Sequence, residues 1–92
     1  MLTTNSLVVA TKNQIGADLA GESVILHLKN GVYYGLNTVG SRIWTLVQQP
    51  ICVQEIVRDL VAQYEVEPER CERDVLALIE NLLAEGLVEV RQ

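Results

Sequence analysis

The chain has 92 residues, of which 49% are hydrophobic and 21% are charged. We expect a single domain over residues 1–92, because domains usually span on the order of 100 to 150 residues. The hydrophobic fraction excludes a disordered tail and suffices for a core without metals or disulfides. The formal net charge of −5 disfavours nucleic acid as a partner, since phosphate backbones are repelled by an acidic surface.

The sequence predicts neither a membrane segment nor a catalytic centre. No apolar run approaches the roughly 20 residues of a membrane helix, and the first residues lack the basic region of a signal peptide. We therefore expect a soluble cytoplasmic protein with no membrane partner. Cys52 and Cys71 have no close Cys or His companion, so neither a metal nor another cofactor is expected. His27, the only histidine, has no Ser or Cys nucleophile placed to use it.

The first third of the chain has the composition of β-strands. Residues 6–10 predict a short strand, and the Gly-containing residues 13–21 predict a loop. Residues 22–28 and 32–36 predict two further strands.

A hairpin is predicted between the last two of these strands. Asn30 and Gly31 are the residues that a type I′ turn favours, because both of its central positions need a positive φ. This turn places Leu28 opposite Tyr33 and leaves both faces of the sheet substantially apolar.

Three helices follow, predicted over residues 38–48, 53–64 and 68–85. Asn37 is suited to cap the first helix and Pro68 to begin the third, while Gly86 can take the left-handed conformation that ends a helix. Residues 87–90 predict a final strand or extended tail. The order β-β-β-α-α-α predicts an α+β fold.

The third helix is more apolar than a core requires. At about 100° per residue, one sector of the usual width contains Cys71, Val75, Leu78, Ile79 and Leu82. Leu76 and Leu83 fall outside this sector on one flank. Either the strands cover that flank, or it borders an open groove between the helix and the hairpin where a partner segment lies.

Three helices with a small sheet also suggest a winged helix-turn-helix, in which the third helix enters a DNA groove. This helix carries two arginines against five acidic residues, whereas a recognition helix needs Lys, Arg, Asn or Gln. A DNA-binding regulator would therefore need a basic face formed by Lys12, Lys29, Arg42, Arg58 and Arg91.

Several stretches together resemble the PqqD-like family, and more narrowly the stand-alone recognition proteins of lasso-peptide biosynthesis. They are YYGLNTVGSRIW at residues 33–44, VQEI at 53–56, DV at 74–75 and GLV at 86–88. The resemblance covers about residues 24–90. Cys52 departs from it, since a hydroxyl cap is usual at that position.

The resemblance implies a winged helix-turn-helix with a three-stranded antiparallel sheet and a three-helix bundle. Such a protein is not an enzyme. It binds the leader segment of a ribosomal precursor peptide as an added β-strand between its third strand and its third helix, and it delivers the leader to a leader peptidase or other modifying enzyme. Carried over, the peptide-binding residues are Val32, Tyr33, Tyr34, Gly35 and Leu36 on the strand and Leu76, Ile79, Glu80 and Leu83 on the helix.

An alternative from a different class is a structural adaptor that forms a homodimer through the same strand edge. An open edge offers unpaired N–H and C=O groups to any extended backbone, so the residues alone do not separate the two functions.

The acidic third helix generates a first prediction. We expect no measurable sequence-specific DNA binding at physiological salt, because the helix repels phosphates and lacks base-reading side chains. A gel-shift assay checks this, and sub-micromolar affinity for a defined duplex would contradict it.

Overall fold

The computed structural model describes residues 2–12, 14–19 and 22–91. The strands in these ranges are β1 (Leu7–Ala10), β2 (Gln14–Leu19), β3 (Glu22–His27), β4 (Tyr33–Gly35), β5 (Ile51–Cys52) and β6 (Val88–Arg91). The helices are α1 (Thr38–Leu46), α2 (Val53–Gln63) and α3 (Pro68–Ala84). The strands form two three-stranded sheets, in the orders β5-β1-β6 and β2-β3-β4. The predicted α+β winged-helix fold, with a three-stranded antiparallel sheet and three helices, is confirmed.

The N-terminal strand exists but belongs to a different sheet from the hairpin. β1 pairs antiparallel with β6 and with β5. The predicted final strand is thereby confirmed as β6, which brings the two ends of the described chain together. The third strand of the hairpin sheet is instead β2, which runs antiparallel to β3.

The loop predicted over residues 13–21 was wrong for residues 14–19, which form β2. Asn13, Ala20 and Gly21 lie outside the described residues. The loop was predicted because of its glycines, but Gly16 is a strand glycine with a packing reason. A Cβ atom there would lie 3.2 Å from Nε1 of Trp44, closer than a side chain tolerates without a shift.

The predicted hairpin is present, with a different turn and a register shifted by two residues. Leu26, rather than Leu28, lies opposite Tyr33. Residues 28–31 form a four-residue loop in which the Gly31 N–H donates to the His27 carbonyl (2.9 Å). Nδ1 of His27 accepts the Lys29 N–H (3.2 Å), so the side chain of this histidine helps to close the longer loop. Because the register shifts by an even number of residues, each strand residue still lies on the face of the sheet that was predicted for it.

The helices begin and end close to the predicted residues. Oδ1 of Asn37 accepts the Gly40 N–H (2.8 Å) and so caps α1 as expected. Pro68 is the first residue of α3, and Gly86, just beyond its end, has a φ of 73°. Cys52 precedes α2 without a side-chain capping bond.

The hydrophobic core joins the three helices to one face of β3 and to strands of the other sheet. Ile25, at the centre of β3, is completely buried. The buried apolar cluster consists of Val8, Ile25, Ile43, Trp44, Val47, Val53, Ile56, Leu60, Cys71, Val75, Ile79, Leu82, Leu87 and Val88. Full burial of one such aliphatic side chain stabilises the fold by roughly 1.5 to 3 kcal/mol.

Two buried serines connect the hairpin sheet to α1. Oγ of Ser41 accepts the Ser23 N–H (2.7 Å) and donates to the Leu36 carbonyl (3.2 Å). The Leu36 N–H in turn donates to the Ser23 carbonyl (2.9 Å). This closed set of bonds satisfies the polar groups where β4 passes into α1, and it holds the end of β4 against β3.

A bidentate ion pair joins α1 to α2. Nε and a terminal nitrogen of Arg42 donate to the two carboxylate oxygens of Asp59 at 2.9 and 2.8 Å. The Arg42 hydrogen bond is the main cause that lowers the pKa of Asp59. Arg70 and Asp74 form a looser pair on α3, at 4.0 Å with both side chains largely exposed.

This pair predicts a dependence of stability on pH. Because the pKa of Asp59 is lower in the folded protein than in the unfolded chain, its stabilising contribution is full above the unfolded value of 3.8 and is lost as the pH falls through the folded value. Asp59→Asn should lower the melting temperature at neutral pH and should reduce the further decrease in acid. Thermal melts between about pH 7 and pH 3 measure both effects. Asp74→Asn is the control, and an equal effect from it would contradict the assignment.

Candidate functional site

The outer edge of β4 is open in the part of the chain that the structure describes. β4 is the last strand of its sheet and pairs with β3 on one side. The Val32 carbonyl accepts the His27 N–H, and the Leu36 N–H donates to Ser23, both at 2.9 Å. Hydrogen-bonded residues alternate along an antiparallel strand, so Tyr33 and Gly35 turn their N–H and C=O groups away from β3. A further strand has these groups available for pairing.

The two tyrosines of β4 lie on opposite faces of the sheet. The Tyr34 hydroxyl, on the face toward the helices, donates to a carboxylate oxygen of Glu85 (2.7 Å), just past the end of α3. This hydrogen bond raises the pKa of Tyr34 above its ordinary value. Tyr33 lies on the other face and is 69% exposed. Tyr34 is therefore the tyrosine that spans from β4 to the region of α3.

A cleft of about 690 Å³ opens beside the end of β4. One wall is formed by the end of β4 and the first turns of α1, and the opposite wall by the α2–α3 connection and the N-terminal half of α3. The residues that α3 contributes are Arg70, Cys71, Asp74, Val75 and Leu78. The cleft thus adjoins the end of β4 and is bordered by α1, α3 and the α2–α3 connection.

The cleft has an apolar floor and a predominantly acidic rim. Its aliphatic lining residues are Leu36, Val39, Ile43, Leu60, Val66, Val75 and Leu78. Its charged lining residues are Glu65, Glu67, Arg70 and Asp74. Such a surface suits an apolar segment, with its polar or basic groups at the rim.

The predicted strand residues lie at this site. Tyr33, Tyr34 and Gly35 form β4, and Gly35 and Leu36 also line the cleft. Val32 directly precedes β4 and is 46% exposed. Their contact with a peptide stays a prediction.

The predicted helix residues do not line this cleft. Ile79 is completely buried in the core, and Glu80 is exposed. Leu76 and Leu83 are partly buried against the core. At about 100° per residue, Leu83 lies about 140° around α3 from Leu78, which does line the cleft. The contact of these four residues with a peptide stays a prediction.

Sequence reasoning missed the residues that complete the cleft. Leu78 was assigned to the core sector, although it is only half-buried. Val66 stands alone in an acidic stretch of the α2–α3 connection and is 39% exposed. An isolated apolar residue between two glutamates is a sequence signal that could have indicated this wall of the cleft. Only the tertiary structure shows that Val66 lines the same cleft as the end of β4.

The cleft contains no activated nucleophile among its described residues. Burial, with a smaller contribution from Asp74, raises the pKa of the Cys71 thiol, so the thiol stays protonated near neutral pH. Within the described ranges, no three His, Cys, Asp or Glu side chains gather as a metal site would require. Nor does any helix there have the length and hydropathy to cross a membrane. What the site offers is backbone pairing and apolar contact.

The comparisons with known proteins point to one family. Residues 22–88 match the family of coenzyme PQQ synthesis protein D, PqqD. The structure of TbiB1 in complex with the TbiA(beta) leader peptide is 36% identical to the chain, with a TM-score of 0.82 over 88% of this chain and 94% of that one. Lasso peptide synthetase B1 complexed with the leader peptide is 24% identical, with a TM-score of 0.79 over 89% and 96%, and is similar in fold. No curated protein sequence matches the chain.

The family match covers well over half of the chain, and it includes the hairpin, all three helices and the start of β6. The predicted resemblance is thereby confirmed. The chain belongs to the PqqD family, as a PqqD-like recognition element.

Proposed function

We propose that this chain is a non-catalytic recognition protein that binds the leader segment of a ribosomal precursor peptide as an added strand on β4. The bound leader is then presented to a leader peptidase or other modifying enzyme. The observation that carries the proposal is the open edge at Tyr33 and Gly35, beside which lies a largely apolar cleft that Gly35 also lines. The leader peptide present in the structure of the 36% identical relative supports it.

The two parts of the site have different roles in this function. An open strand edge binds an extended backbone of almost any sequence, because it pairs with N–H and C=O groups. Selectivity must therefore come from side-chain surfaces beside the edge. The cleft supplies one such surface, which is lined by Leu36 from the strand side and by Val75 and Leu78 from α3.

Backbone pairing is tested on the peptide rather than on the protein. Peptides that bind the wild-type chain are selected from a displayed random library, and one backbone nitrogen at a time is then methylated. We expect losses only at alternate residues within the paired segment, since every second N–H points toward β4. Each lost bond should weaken binding about fivefold or more, as measured by calorimetry.

Uniform sensitivity along the peptide, or none at any position, would argue against strand addition. If no peptide is selected and sedimentation shows a dimer, the edge serves self-association instead. The leader role itself is tested with a precursor peptide encoded beside the gene, which should bind through its leader half and not through its core half.

The cleft predicts which flank of α3 contacts the peptide. Leu78→Ala removes an apolar contact from the cleft and should weaken binding on the order of tenfold to a hundredfold if the side chain is fully covered in the complex. Leu83→Ala is the matched control, because it removes the same side chain from another partly buried position of the same helix. Thermal melts check that both variants fold. Loss of binding in Leu83→Ala alone would instead assign the peptide to the flank formed by Leu76 and Leu83.

A further inference from the structure

Glu85 stands at a position where an acidic residue is electrostatically unfavourable. It directly follows the last residue of α3, where the unpaired helix carbonyls carry partial negative charge. The last turn of α3 has no basic residue that would offset this charge. Glu85 is also exposed, so packing in the core gives no reason for it. A residue that breaks a local rule in this way is expected to have a compensating contact.

The hairpin of β3 and β4 supplies the compensating contacts. Nε2 of His27, at the end of β3, bonds to the Glu85 carbonyl (2.6 Å), and the Tyr34 hydroxyl donates to the Glu85 carboxylate (2.7 Å). Among the described residues, no other hydrogen bond joins the hairpin to α3 or to Glu85. The His27 bond fixes the middle strand of the sheet, whereas the Tyr34 bond fixes the edge strand itself.

Glu85 and Leu78 lie on the same flank of α3. Seven residues at about 100° per residue bring them within about 20° of each other, and a rise of about 1.5 Å per residue separates them by roughly 10 Å. Leu78 lines the cleft together with Gly35 and Leu36, at the end of β4. This flank is therefore bonded to β4 at the C-terminal end of the helix, and it borders an open cleft farther toward the N-terminal end.

We propose that Glu85 is a positioning residue for peptide binding, whose carboxylate holds β4 at a fixed distance from α3 and so makes the open edge and the α3 wall of the cleft one binding surface. This role rests on the proposed strand addition and deepens it. An added strand presents alternate side chains to the face toward the helices, so it reaches the cleft wall only if edge and wall keep their separation. Without the bond, β4 would have to be ordered against α3 when the peptide binds, which weakens binding.

Substitutions at the two ends of the bond test this role, by calorimetry on peptides selected from the random library on the wild-type chain. Glu85→Ala and Tyr34→Phe each remove one partner and should each weaken binding about fivefold. Because both remove the same bond, the double variant should bind no more weakly than either single variant. Glu85→Gln keeps an acceptor oxygen for the Tyr34 hydroxyl and should bind within about twofold of the wild type.

Glu72→Ala is the matched control, because it removes another exposed carboxylate of α3. It should bind the peptides as the wild type does, and an equal loss would assign the effect to charge rather than to the bond with Tyr34. The melting temperature of Glu85→Ala should change little, since relief of the unfavourable charge at the helix end offsets the loss of one exposed hydrogen bond.

The dependence of binding on the cleft wall is a readout that a purely structural role would not change. Leu78→Ala should weaken binding less in Glu85→Ala than in the wild type, because the wall is no longer held against the same peptide. The alternating N-methyl pattern should remain in Glu85→Ala, since β4 still pairs with the peptide backbone. An equal Leu78→Ala loss in both backgrounds would overturn the role of Glu85.

The remaining outcomes separate this role from strand addition. If peptides are selected and show the alternating N-methyl pattern, but Glu85→Ala binds them normally or its loss adds to that of Tyr34→Phe, Glu85 is not a positioning residue and strand addition stands. If no peptide is selected, the proposed function fails, and the role of Glu85 fails with it. Should Glu85→Ala not fold, Tyr34→Phe must show the loss by itself, and normal binding by it overturns the role.

Discussion

The packing of β3 against the helices is the constraint on which the rest of the structure depends. Its inward residues are Ser23, Ile25 and His27, all buried, and each is held in a different way. Ser23 bonds to Ser41 of α1, Ile25 enters the core, and Nε2 of His27 donates to the Glu85 carbonyl at 2.6 Å. Since Nδ1 of His27 accepts from the loop backbone, Nε2 is the donor, and the ring joins the hairpin to the end of α3. With β3 fixed as the middle strand, β4 is left at the edge.

This arrangement would suit one short strand to the proposed addition of a peptide strand. β4 has only three residues, and by itself such a strand offers few pairing groups. It is held on one side by β3 and at its end by the Ser23, Leu36 and Ser41 bonds, so little order is lost when a second strand is added. A prearranged edge loses less free energy on binding than a flexible segment that must first become a strand.

The position of the cleft is a feature that the apolar pattern of α3 does not predict. Periodicity gives the width of an apolar sector, but it does not say which border of the sector is covered by the fold. Leu76 and Leu83 extend one border and pack partly on the core, whereas the other border, at Asp74 and Leu78, faces the space beside β4. The border of the sector that faces this space includes the carboxylate of Asp74. Looking in the sequence for apolar residues outside the core sector therefore does not identify it. Helical periodicity identifies apolar residues that lie outside the core sector. A cleft, in contrast, depends on where the sheet lies relative to the helix, so the sequence pattern does not predict it.

By itself, the sequence determined the helices, the hairpin and the family, because each depends on signals that act over a few residues: the Asn37 cap, Pro68 at the start of α3, Gly86 after its end, and a run of residues that resembles one family. It also placed Tyr33 and Tyr34 on opposite faces, since alternation is a local property of strands. Only the tertiary structure decided that residues 14–19 form a strand, that the hairpin register is shifted, and which flank of α3 borders the cleft. The reason is physical: Gly16 against Trp44 and His27 against Glu85 are contacts between residues far apart in the chain, and their energies exist only after the elements have packed. The cleft likewise exists only after packing, because Leu36 and Leu78, which both line it, belong to distant parts of the chain.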